Sequence, residues 1–401
     1  MMLVLWSRLD TSMPCSTRAG RRARHVAAAV LFPAIVFGLL ACEGDYRPEA
    51  VGPEGEITIV MDSTRWAGPV GDALRTSIGP YIKTLPTPER YFDLRQFDLV
   101  DERTYGTIQQ SKNVIFIAPL SDSTNEATFL RRRFSEDARS AVMGGSPAVI
   151  ARPNLWRRNQ RVYFITAATP DALIDALHNR GREVRTAFKQ VTLDRMREEM
   201  FEKARQFNLE DTLMQRHGFA VNVQHDYQIA IDSTTDDTGF LWLRRVLADS
   251  RRELFFYYIE NASASRITPE WIYATRDSLT RRYLQGNMGG FVKIDRRRPL
   301  NSEQDGFLDR YAYETRGLWH MVQPVPTDDG TTELMGAGGG GPFLTYTFYD
   351  RDSDRIYMID GSVFAPRYDK RPFLRQMEVI ANTFRTAEED AATGDALATT
   401  D

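Results

Sequence analysis

The chain has 401 residues, with 51 Lys+Arg against 54 Asp+Glu and a formal net charge of −3. Without residues 1–41, which hold five arginines and one aspartate, the net charge falls near −7. That balance offers no basic footprint and argues against nucleic acid as a partner. Both cysteines, Cys15 and Cys42, lie near the N-terminus, so the remainder has no disulfide, no reactive thiol and no cysteine metal ligand.

Arg21, Arg22 and Arg24 precede an uncharged run, Val26 to Ala41, that closes on Leu39-Leu40-Ala41-Cys42 and is followed by Glu43-Gly44. A basic region, a short apolar run, small residues at a cut and then a cysteine form the pattern of a bacterial lipoprotein signal. The run is short of the ~20 residues that span a bilayer, and Pro33 disfavours a rigid membrane helix. Residues 1–41 are therefore expected to be a signal peptide and Cys42 the lipidated N-terminus. A secretory signal cut without lipid and an ordinary core helix are the competing readings. Leu3 to Trp6 and Asp10 do not suit a basic leader, so translation is expected to begin at Met13.

Residues 42–55, with Pro48 and Pro53, read as a tether. Glu56 to Met61 alternates as a strand, and a helix follows from Trp66 to Ile78. After the break at Pro86-Thr87-Pro88, strands are predicted at Tyr91–Leu99, Asn113–Ala118, Ala148–Arg152 and Arg161–Thr166. A long helical stretch runs from Pro170 to Arg205, with Gly181 as its expected interruption. Strands then read at Phe219–Val223, Tyr227–Ile231, Phe240–Val246 and Glu253–Ile259. Leu254 to Tyr258 is apolar on both faces, which places that strand centrally or under cover on both sides.

Thr268 caps a helix opening with Pro269 and Glu270. Strands follow at Tyr311–Val322, Phe343–Tyr349 and Arg355–Phe364. Phe373, Met377, Ile380, Ala381 and Phe384 make the apolar stripe of a last helix. Residues 387–401 read as a disordered tail. Arg161 to Thr166 resembles Arg355 to Asp360, which raises an internal duplication as one possibility and chance as the other.

Few residues suggest chemistry. Asp350, Asp352 and Asp354 alternate like the first ligands of a calcium loop. Arg355, however, stands where the turn glycine belongs and Gly361 where the bidentate glutamate belongs, which favours a polar hairpin turn. Gly338 to Gly341 precede a strand and no Lys-Ser/Thr, so they read as a tight turn or close backbone packing rather than a phosphate loop. His178, His217, His225 and His320 lack zinc spacing, and no G-x-S-x-G elbow occurs. Neither metal nor cofactor is expected. Arg131–Arg133 and Arg296–Arg298 read as solvated clusters, with acidic headgroups or polymers as the functional alternative.

One constellation suits a ligand or partner: Arg316, Trp319, Gly340, Gly341, Arg371 and Arg375. If the strands pair in sequence order, these converge near the start of the last helix. Glycine admits close backbone approach, arginine supplies forked donors and tryptophan a rigid anchor. The competing reading is structural: turn glycines, a core tryptophan and an Arg–Glu pair with Glu378.

The same segments carry a resemblance. GPEGEITIVMD, GFLWLRR (Gly239–Arg245), ETRGLWHM (Glu314–Met321), GGPFLTYTFYD (Gly340–Asp350) and APRYDKRPFLRQMEVI (Ala365–Ile380) resemble the uncharacterised bacterial envelope lipoproteins grouped as domain of unknown function 4837. The tract GAGGGGP is longer than that family's pattern. The resemblance implies a lipid anchor and no known catalytic activity. More remotely, the second half is similar to PsbP/Mog1-like domains, antiparallel sheets backed by helices.

These readings lead to an α+β expectation: antiparallel sheets with helices on one side, in two similar lobes, 56–210 and 211–386. The expected function is a non-catalytic binding or assembly factor of the cell envelope, on the periplasmic face or the outer-membrane surface. It would meet the membrane through its lipid and an envelope protein or polymer through the constellation above. An envelope hydrolase using scattered Asp, Glu and His is the alternative.

Overall fold

The first half of the chain builds a sheet from short apolar strands linked by helical crossovers. The structure, a computed structural model, describes residues 46–202, 205–286 and 289–398. The signal peptide, Met13, Cys42 and the tether up to residue 45 lie outside the described residues, as do residues 399–401.

The first-half elements are β1 (Glu56–Val60), α1 (Ser63–Ala67), α2 (Pro69–Ser77), β2 (Asp93–Phe97), α3 (Glu102–Ile108) and β3 (Asn113–Ile117). They continue with α4 (Asn125–Arg133), α5 (Glu136–Met143), β4 (Ala148–Pro153), β5 (Arg161–Thr166) and α6 (Pro170–Glu202). The sheet order is β2-β1-β3-β5-β4. β1 lies parallel to β2 and β3, β3 parallel to β5, and only β4 runs antiparallel. Every residue of β3 is buried, as a parallel strand covered on both faces requires. Leu74 of α2 and Leu173, Leu177 and Phe188 of α6 cover Ile57, Ile59 and Ile115. Ile108, Leu130 and Val142, from α3, α4 and α5, cover Val60, Val114 and Phe116 on the opposite face.

The α+β class holds, but the expected antiparallel sheet with one-sided helices does not describe this lobe. Parallel neighbours require crossovers. Here these use short helices capped by Asp101, Thr124 and Ser135, too brief to show a clear apolar stripe. Gly181 does not interrupt α6, which is continuous. A Cβ there would lie 2.4 Å from Cβ of Ser77, so glycine lets α2 and α6 pack closely. The segment read as a free tether is docked from Glu49 onward. Glu49 bridges to Arg158, Val51 to Ser111, and Ala50 is buried.

The second half comprises α7 (Phe207–His217), β6 (Phe219–Ala220), β7 (Gln228–Thr234), β8 (Thr238–Val246), β9 (Arg251–Glu260) and α8 (Pro269–Tyr283). Then come β10 (Phe291–Ile294), β11 (Asn301–Phe307), β12 (Arg310–Pro326), β13 (Thr332–Asp350) and β14 (Arg355–Phe364). α9 (Arg371–Ala381), β15 (Arg385–Thr386) and α10 (Ala387–Ala398) end the described chain. The main sheet runs β10-β12-β13-β14-β9-β8-β7, with β11 also on β12, and its pairings are antiparallel.

β9 is central and covered on both sides, as Leu254 to Tyr258 demand. Leu254, Phe256 and Tyr258 join Leu213 of α7 and Leu374, Met377 and Ile380 of α9 in one core. Phe255 joins Ile272 and Leu279 of α8 in the other. Helices thus flank both faces here too, and the two lobes differ in topology. β5 pairs one parallel and one antiparallel strand, whereas β14 pairs two antiparallel strands, which removes the support for a duplication. Ala387 to Ala398, expected as disordered tail, is helical.

Candidate functional site

The predicted constellation separates: Trp319 and the three arginines lie on opposite faces of the second sheet. Arg316, Arg371 and Arg375 meet at the seam between the lobes. At the start of α9, Glu89 accepts the backbone N–H groups of Lys370 and Arg371, each at 2.8 Å. A carboxylate from the first lobe thereby serves the helix N-terminus of the second. Arg371 donates to the Arg90 carbonyl at 2.5 Å and pairs with Asp93 at 2.7 Å. Arg375 donates to the carbonyls of Tyr91, at 2.6 Å, and Glu54, at 3.3 Å, and lies over the Phe92 ring. Burial, then the neighbouring Arg371, pull its pKa down to about 10.

Arg316 pairs with both Glu314 and Glu378, and Lys189 of α6 lies 3.3 Å from Glu378 and 3.9 Å from Glu314. Burial pushes the Glu314 carboxyl up, but Arg316 and Lys189 outweigh it and bring its pKa to about 2. Burial opposes the charge on both neighbours, but Lys189 and Arg316 hold Glu378 ionised, and Glu378, with Tyr91 and Glu314, holds Lys189 protonated. The gap between these groups is only about 20 Å³, roughly one water's worth of space. These arginines therefore join the lobes, and the geometry leaves no room for a ligand among them.

Trp319, Gly340 and Gly341 lie apart from the arginines. Trp319 is 8% exposed and packs with Ile272, Leu279 and Phe343 under α8. A Cβ on Gly341 would lie 1.9 Å from the Val363 carbonyl, and one on Gly340 2.8 Å from the Trp319 carbonyl. The close-packing reading of these two glycines holds. The tract is not a turn, because it runs within β13 against β12. The residues divide because side chains alternate along a strand, and Arg316 and Trp319 are separated by an odd number of positions.

Other constellations are closed. Arg276 and Asp360 form a fully buried pair at 2.7 Å, with Thr345 donating to Asp360. His217 is buried, with Nε2 3.3 Å from Asp232 and Nδ1 3.3 Å from the Tyr258 hydroxyl. Burial lowers its pKa, partly offset by Asp232. In the first lobe the strand order reverses between β1 and β3, where open α/β sheets bind ligands. There Arg65 grips Asp122 through two hydrogen bonds, at 2.7 and 2.8 Å. Among the described residues, no group of three or more His, Cys, Asp or Glu is placed to hold a metal ion.

An open cleft of about 650 Å³ lies at one end of the second sheet, within the ~300–1,000 Å³ range of ligand sites. Tyr311 and Tyr313 come from β12, Tyr349 from β13, and Leu308 and Asp309 from the β11–β12 turn. Arg351 and Asp352 come from the β13–β14 turn and Ile267 from the segment before α8. Gln304 donates to the Tyr313 hydroxyl at 2.6 Å, and Tyr349 donates to Asp354 at 2.7 Å. Arg310 is tied to Asp350 at 2.7 Å and Glu389 at 2.8 Å. Burial raises the Asp350 pKa, but hydrogen bonds from Ser353 and Arg310 prevail and hold it below the usual range.

Leu308 and Asp309 have φ of 50° and 59°, a two-residue hairpin turn that Asn-Gly would normally occupy. The alternating aspartates thus form the expected hairpin turn, with Asp350 and Asp354 committed to different partners. Sequence reasoning missed this cleft. The tyrosines were legible only as strand residues, and nothing local shows that the two turns meet.

The fold defines a two-part protein: a doubly wound α/β lobe joined to an antiparallel α+β lobe that carries a surface cleft. In particular, residues 206–383 match the family described as Domain of unknown function (DUF4837), and residues 50–201 match Domain of unknown function (DUF8532). The first-strand segment GPEGEITIVMD, attributed above to the first of these families, falls in the second. None of the curated proteins matches the chain. Among solved structures, the Saccharomyces cerevisiae Ran-binding protein Mog1p is similar at 11% identity, covering 42% of this chain and 90% of that one. The TM-score is 0.26, too low to carry an argument.

Proposed function

We propose that this is a lipid-anchored bacterial envelope protein that acts by binding, with the tyrosine-walled cleft as its ligand site. The anchor reading rests on Leu39-Leu40-Ala41-Cys42 behind its arginines, and two or more acyl chains suffice for stable membrane attachment. The cleft carries the binding reading, because it combines an open volume, pinned aromatic walls and uncommitted polar groups. The side chains of Tyr311, Asp309, Arg351 and Asp352 make no hydrogen bond or ion pair among the described residues. Acid–base catalysis is less well served. Asp350, the buried carboxylate of the wall, is held ionised by Arg310 and Ser353 and so is a poor proton donor.

Radiolabelled palmitate tests the anchor: Cys42→Ser should abolish labelling and release the protein from the membrane fraction. Unchanged labelling and retention would refute it. Among the described residues, no helix is long and apolar enough to cross a membrane. For the site, Tyr311→Ala should remove envelope function while leaving palmitate labelling intact. A fully functional variant would move the site elsewhere.

A further inference from the structure

We infer that the cleft takes a neutral or amino-bearing saccharide, an inference that rests on the cleft being the binding site. Charge comes first. The lining carries Asp309, Asp350, Asp352 and Glu389 against Arg310 and Arg351, so the acidic groups outnumber the basic ones by two. An anionic ligand such as a phosphate ester would meet net repulsion. A wholly apolar ligand would strand the free polar groups of the rim without partners. A polyhydroxylated neutral ligand satisfies both conditions.

The groups also suit the chemistry of sugars. A pyranose has faces of weakly positive C–H groups and a perimeter of hydroxyls. Aromatic faces carry the negative lobe of the ring quadrupole and attract such C–H faces. Tyr311 is 68% exposed, and its side chain has no hydrogen-bond partner among the described residues to hold it away from a ligand. Tyr313 and Tyr349 are fixed by Gln304 and Asp354, which lowers the ordering cost of binding. Asp309 and Asp352, on turns at the rim, can each accept hydrogen bonds from neighbouring hydroxyls, and Arg351 can donate to ring or hydroxyl oxygens. The backbone strain at Leu308 and Asp309 falls on this rim, where strained residues often accompany binding sites. A volume of about 650 Å³ admits a short oligosaccharide rather than a single sugar.

The test is calorimetric titration of the full chain with N-acetylchitotriose, maltotriose and, as the anionic comparison, trigalacturonate. Saturable binding of at least one neutral trisaccharide is expected, with trigalacturonate at least tenfold weaker. Tyr311→Ala should weaken binding tenfold or more at unchanged melting temperature. Tyr311→Phe, which keeps the ring, should stay within about threefold. Failure of both neutral sugars to bind, preference for trigalacturonate, or undiminished binding by Tyr311→Ala would each overturn the inference. Loss of envelope function in Tyr311→Ala without any sugar binding would leave the cleft as the site and reject its saccharide ligand. Sugar binding with Tyr311→Ala fully functional in cells would support the saccharide chemistry and reject the cleft's envelope role.

Discussion

Lys189, on α6 of the first lobe, holds its Nζ 3.3 Å from Oε1 of Glu378, on α9 of the second. Arg316 pairs with the same carboxylate from β12, so Glu378 is shared by cations from both halves. Its side chain is 3% exposed. Leu193 and Met196 of α6 pack on Val379 of α9 beside it. The lobes are therefore joined by an enclosed charge network with an apolar margin.

Removing the shared carboxylate should be costly. Glu378→Leu leaves Arg316 and Lys189 without their common partner, and breaking a buried pair from one side costs about 3–5 kcal/mol. Urea denaturation should show a lower midpoint, and separate transitions for the two sheets if the seam is what couples them. A single transition at the parental midpoint would contradict this.

Acid should weaken the same seam. Half-buried Glu314, beside Arg316 and Lys189, has a pKa of about 2 in the folded protein, below that of an unfolded glutamate. As pH falls, the unfolded chain therefore takes up the proton first. The stabilisation is complete above about pH 5 and is lost as pH falls toward 2. Glu314→Gln should flatten the stability profile across that window, as measured by urea midpoints at stepped pH.

Gly181→Ala tests close packing against helix propensity. Alanine is favoured over glycine by about 1 kcal/mol in a helix interior, yet the added Cβ would lie 2.4 Å from that of Ser77. Overpacking of this kind costs about 1–3 kcal/mol, so a net loss is expected. Adding Ser77→Gly should restore much of it. Additive losses in the double variant would disprove the contact.

The seam arginines should fail by destabilisation. Arg375→Ala strands the Tyr91 and Glu54 carbonyls, and lost hydrogen bonds to a charged group are worth about 1.5–3 kcal/mol. Arg371→Ala, whose partner Asp93 is 60% exposed, should lose less. Trp319→Ala should cost about 3–5 kcal/mol as a core truncation. Arginine variants that keep the parental melting temperature but lose cellular function would restore the ligand-site reading.

Local periodicity was enough to place many elements. The doubly apolar run Leu254 to Tyr258 became the central strand β9, and Met377 and Ile380 became part of the buried face of α9, with Phe373 half-buried at its margin. The Thr268 cap, the start of α8 at Pro269 and the β13–β14 turn were equally legible. Each depends on residues within a few positions of one another, where side-chain spacing and backbone preference act directly. The parallel pairing of β1, β2, β3 and β5 depends on crossovers that local patterning does not register. Arg316 and Trp319 belong to different faces because the alternation of β12 sends them apart. The cleft arises where the β11–β12 and β13–β14 turns meet, some forty residues apart in sequence. That meeting is set by long-range strand pairing and burial, which only the folded chain decides.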